Sequence, residues 1–105
     1  MATWERGAGY RGILYDEDTG VQTSQGKAVT GKCIIRGVIV KTDGATDVTM
    51  TLYDSLTGSG TKALDTIVLQ AEKGTHFIEL NKMCATGIYV AITGGTFSWQ
   101  LFYDQ

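Results

Sequence analysis

The chain has no proline, one histidine and only two cysteines in 105 residues. Without proline, every turn must be built by Gly, Asp, Asn or Ser, the residues that reach positive φ or bond their own backbone. Two cysteines cannot make a zinc site without further ligands, and His76 is the only histidine available to help. A disulfide between Cys33 and Cys84 is one alternative; buried free thiols are the reading that fits folding in a reducing cytoplasm. No excess of basic residues exists, since the formal net charge is -2. Without a basic stripe to displace counterions from phosphates, nucleic acid is not an expected partner. Apolar runs are short, Val38-Ile39-Val40 being typical, and none nears the roughly 20 residues of a membrane-spanning helix. The opening MATWERGAGYRG has no apolar stretch of the kind a secretory signal needs, so synthesis and folding in the cytoplasm are expected. No segment carries a useful run of helical periodicity.

What is present is glycine, 14 residues of it, set between threonine-rich and β-branched segments. That is an all-β composition. At 105 residues one domain with one modest core is the default. Period-two alternation puts Val48, Met50 and Leu52 on one face of a strand, with Thr49, Thr51 and Tyr53 on the other. The same pattern aligns Ile88, Val90 and Ile92, and again Phe97, Trp99, Leu101 and Tyr103. In THFIELN, His76, Ile78 and Leu80 alternate with Phe77 and Glu79. The stretch KCIIRGVIVKT is apolar on both faces; its central Arg36-Gly37 points to a β-bulge or a close backbone approach, the alternative being that both faces are covered, one of them by a neighbouring subunit. Thr42-Asp43-Gly44-Ala45, Glu72-Lys73-Gly74 and Thr93-Gly94-Gly95-Thr96 read as hairpin turns. Residues 81–87 read as a longer connection. Strands spaced by turns about every ten residues predict an antiparallel β-sandwich of seven to eight strands, jelly-roll-like or Ig-like. Residues 1–30 read as an N-terminal arm and loop, with the sandwich occupying residues 31–105.

Four constellations invite a chemical reading, and each falls short. Gly58-Ser59-Gly60-Thr61-Lys62 hints at a phosphate loop, but Lys follows Thr rather than Gly. The next segment reads as a strand, so no helix N-terminus receives the phosphate. A connection with Gly58 and Gly60 at positive φ is expected instead. Asp16-Glu17-Asp18 lacks the spacing of a calcium loop and reads as a solvated acidic turn. His76 has no orienting carboxylate or nucleophile legible beside it, and reads as structural. The acidic residues that a glycosidase pair would need sit mostly at turns, as Asp43, Asp54, Glu72 and Asp104 do. The expectation is a protein that is not an enzyme and holds no cofactor or metal.

Aromatics exceed what one core needs. Tyr53, Phe77, Tyr89 and Phe102 lie opposite the main apolar rows, which marks them for a protein interface. Trp4, Arg6, Tyr10 and Arg11 in the arm are the other interface candidates. A carbohydrate platform built on Tyr53, Tyr89 or Trp99 is the alternative use.

From about Gly31 to Tyr103, roughly two thirds of the chain, the order of GKCIIRGVIVKTDG, VTMTLYDSLTGSGTKAL and GIYVAITGGTFSWQLFYD resembles small β-sandwich virion proteins of tailed bacteriophages. The resemblance implies an auxiliary structural role: head decoration, a neck or collar piece, or a fibre-associated module. It implies a homo-oligomer within the virion, bound to other virion proteins, with no catalytic residue to carry over. The carbohydrate-binding module of a receptor-binding or adhesion protein stands as the rival.

Overall fold

The computed structural model describes residues 17–105, which form two antiparallel sheets of four strands each. The strands are β1 (Glu17–Asp18), β2 (Gly26–Thr30), β3 (Cys33–Thr42), β4 (Val48–Tyr53), β5 (Lys62–Leu69), β6 (Thr75–Cys84), β7 (Gly87–Gly94) and β8 (Phe97–Asp104). A 3-10 turn at Ala71–Lys73 joins β5 to β6. The front sheet runs β1-β8-β3-β6 and the back sheet runs β2-β7-β4-β5.

The period-two rows are the core. Val48, Met50, Leu52, Ile88 and Val90 are fully buried on the inner face of the back sheet. Ile35, Val38, Val40 and Leu101 are fully buried on the front sheet, joined by Trp99. Each such aliphatic side chain contributes about 1.5–3 kcal/mol by leaving water. His76 is half-buried and donates from Nε2 to the Gln70 carbonyl, 2.9 Å away. Ile78 and Leu80 pack against the core from β6.

β3 shows how the ambiguous apolar strand is resolved. Its register shifts between Ile35 and Gly37 against both β6 and β8, the bulge expected at Arg36-Gly37. The extra residue changes the phase of alternation, so Cys33 and Ile35 before it, and Val38 and Val40 after it, all face inward. Ile34 and Ile39 are left half-buried on the outer face. At Gly37 a Cβ would sit 3.2 Å from both the Ile78 carbonyl oxygen and the Phe77 ring, which explains glycine there.

Three expectations are corrected. The Asp43-Gly44, Glu72-Gly74 and Gly94-Gly95 turns do not make hairpins: each carries the chain from one sheet to the other. A local turn signal reports that the chain reverses, not that the next strand pairs with the last. Among the described residues only β4 and β5 are consecutive neighbours in one sheet, joined by the glycine-rich segment 54–61. Second, the arm and loop expected over residues 1–30 contain β1 and β2, so the sandwich extends at least as far forward as residue 17. Lys27 to Thr30 pairs with β7 through a register shift, which masks the alternation on which a sequence reading relies. Third, β6 continues to Cys84, so the connection expected over 81–87 shrinks to Ala85-Thr86.

Candidate functional site

The two outer faces of the sandwich differ in chemistry. On the back sheet, Thr49 lies opposite Thr93, Thr51 opposite Ala91, and Tyr53 opposite Tyr89. Thr51 is buried and its hydroxyl shares a 2.7 Å hydrogen bond with Thr66 of β5. Tyr53 and Tyr89 are both half-buried, and directly opposed residues share a face. The glycine-rich loop folds beside this pair: a Cβ on Gly58 would meet the Tyr89 ring at 3.2 Å. Gly60 has φ of +104°, as expected, whereas Gly58 is required for space rather than for positive φ. Ser55, Thr57 and Ser59 hydrogen-bond to one another along the loop, and no helix follows it.

On the front sheet, Phe77 lies opposite Ile39, which lies opposite Gln100; Glu79 and Phe102 flank Gly37; Met83 lies opposite Ile34. Phe77 is 53% exposed and Met83 66%. Val21, 67% exposed, lines a shallow depression with Ile39, Lys41, Ser98 and Gln100. Of the five large apolar side chains exposed among the described residues, these three belong to the front face. Arg36 crosses the same face at the bulge, pairing Nε with Asp104 at 2.5 Å and Nη1 with Asn81 at 2.6 Å. It ties β3 to both neighbours, which is how an outward charge next to the bulge is satisfied.

The eight interface candidates are therefore not one patch. Phe77 and Phe102 share the front face, with Phe102 half-buried; Tyr53 and Tyr89 share the back. Trp4, Arg6, Tyr10 and Arg11 lie outside the described residues. Trp99 cannot serve as a sugar platform: it is 3% exposed and its Nε1 donates to the Ser24 carbonyl at 2.9 Å. Sequence patterning does not single out Val21 or Met83. Val21 sits in a polar segment and Met83 in what reads as a connection, so no alternation points to either.

The acidic residues do local work. Asp54 accepts backbone N–H groups from Ala85 at 3.0 Å, Thr86 at 2.9 Å and Gly87 at 3.4 Å. Asp43 accepts from Ala45, Thr46 and Thr96. Asp47 accepts from Ala71. In each case a residue just beyond a strand end holds a connection distant in sequence. The N–H donors of Thr86 and Ala85 lower the pKa of Asp54, those of Ala45 and Thr46 lower Asp43, and the Thr66 N–H with Lys62 lowers Asp65. Asp18 accepts from the Gly20 N–H and from Gln100. Among the described residues no three His, Cys, Asp or Glu side chains converge as a metal site would require. Nor is any helix there long and apolar enough to cross a membrane.

No protein-family model matches the chain, and comparison with curated proteins and with solved structures finds no match.

Proposed function

We propose that this chain is a non-enzymatic structural protein of a bacteriophage virion, a homo-oligomeric auxiliary component bound through its arm and a sheet face. Capsid decoration, a neck or collar position and fibre association are the roles this covers. The observation that carries the binding role is the front sheet's outer face, where Phe77, Met83 and Val21 are exposed around Ile34 and Ile39. Exposed large apolar side chains gathered on one face around a charged centre support an interface there. Residues 1–16, with Trp4, Arg6, Tyr10 and Arg11, lead into β1, which edges that same sheet beside β8. The strand order supports the jelly-roll form over the Ig-like one: two four-stranded sheets wound as interleaved Greek keys, as in viral capsid and lectin domains. The virion assignment itself rests on the resemblance of residues 31–103, because a fold alone names no function.

Light scattering at low and high concentration tests the reading. A discrete oligomer is expected, converted to monomer by Phe77→Glu with Met83→Glu while the melting temperature stays within a few degrees. A wild-type chain that stays monomeric at every concentration and ignores purified virions removes the proposal. Deleting residues 2–11 should leave a folded domain that no longer assembles.

The carbohydrate-binding reading retains one specific support, the Tyr53–Tyr89 pair on the back face. Glycan binding lost in Tyr53→Ala and Tyr89→Ala, but kept in the Phe77/Met83 variant, would select it.

A further inference from the structure

Cys33 and Cys84 are direct cross-strand partners, the pair that closes the β3–β6 ladder at one end. Both are buried, at 3% and 0% exposure, so both face the core. Directly opposed residues in an antiparallel pair have Cα atoms about 4.5 or about 5.5 Å apart. Either value lies within the roughly 4.4–6.8 Å that a disulfide spans. Their Cβ atoms start about 4.5–5.5 Å apart, so closure needs an approach of about 1 Å. The pair is terminal in both strands, and the bulge at Ile35–Gly37 interrupts the ladder just beyond it, so strand ends rather than a rigid ladder must adjust. The structure holds both as free thiols.

We propose that Cys33 and Cys84 are a latent cross-strand disulfide, reduced where the chain is made and closed by a low-molecular-weight disulfide, such as oxidised glutathione, in oxidising surroundings. The inference is independent of the virion reading. Cys33 is the less buried of the two, at 3% against 0%, and stands at the first position of β3, so it is the sulfur that opening of the strand end presents to an oxidant first. Its thiolate attacks one sulfur of the oxidant, and the other leaves as a thiolate that takes up the proton Cys33 lost. Cys84 then gives up its proton, attacks the Cys33 sulfur of the mixed disulfide and expels the second half of the oxidant. The balance is one dithiol and one small disulfide in, one protein disulfide and two small thiols out.

Burial raises both thiol pKa values, Cys84 to about 11, and the Asp54 carboxylate adds to the effect. Attack requires thiolate, so closure is slow at neutral pH and faster as pH rises. That slowness protects the reduced form once the chain has folded.

Incubation of the folded protein with excess oxidised glutathione, at neutral pH and near pH 9, tests the proposal, with a parallel sample oxidised while refolding from guanidinium. Intact mass should fall by two hydrogens with no adduct retained. Thiol titration in denaturant should drop from two to none, the chain should stay unlinked to other chains, and the melting temperature should rise by about 10 °C over the reduced form, since the bridge closes a loop of about 50 residues. Cys84→Ser should instead hold glutathione on Cys33. Free thiols after both treatments, a stable glutathione adduct on the wild type, disulfide-linked dimers, or a lower melting temperature would each overturn it.

Discussion

Asp54 shows how much a single half-buried carboxylate organises. It stands just past β4 and holds the N–H groups of the β6–β7 connection, 31 to 33 residues away in sequence. With Asp43 and Asp65 it is held below its ordinary value of 3.8 by donors that prefer the ionised form. The unfolded chain lacks those donors. These groups therefore stabilise the fold fully above about pH 4, and that contribution disappears as pH falls through their folded values. Melting temperature should be flat near neutrality and fall below about pH 4, and the acid limb should be shallower in Asp54→Asn, which also melts lower at pH 7. Glycines separate in the same way. Gly94 combines φ of +115° with backbone of Asp47 where a Cβ would stand, so Gly94→Ala should cost about 2–4 kcal/mol in chemical denaturation. Gly26 has open space and an ordinary φ, so Gly26→Ala should be neutral or stabilising by up to about 1 kcal/mol. Aspartates at turns are legible in sequence; which distant connection each one holds is not, because that depends on strand order.

At the scale of elements, β4, β7 and β8 are legible in the sequence because one buried face imposes strict alternation, and the inward rows are those the alternation gives. The bulge in β3 is legible because a charge followed by glycine inside an apolar run breaks both the alternation and the side-chain packing of a regular strand. β2 is not, because its own register shift breaks the period, and β1 is only two residues long. Sheet membership is not legible either. Gly-Gly and Asp-Gly suit a crossing between sheets as well as a hairpin, and the difference lies in what the distant strands offer as partners. The outward aromatics Tyr53, Tyr89, Phe77 and Phe102 are legible as residues, but their separation onto opposite faces needs that same strand order. The connections consequently differ in tolerance. Four Gly/Ser residues inserted between Ser59 and Gly60, in the exposed hairpin loop, should cost under about 1 kcal/mol. The same insertion between Ala85 and Thr86 disrupts the Asp54 grip and should cost clearly more, read as the difference in denaturant midpoint.

Across the molecule, consecutive strands among the described residues alternate between sheets everywhere except at β4–β5. Neither sheet is therefore a product of one stretch of chain. The front sheet takes strands from residues 17–18, 33–42, 75–84 and 97–104. Its order places β8 between β1 and β3, so the last described strand in chain order is interior rather than marginal. While the chain is being synthesised, β1 lacks its β8 partner and β3 is paired on its β6 side only until residues 97–104 have emerged. A nascent chain stalled before β8 leaves the facing edges of β1 and β3 unpaired and the core open where Trp99 and Leu101 belong, the kind of surface that chaperones hold.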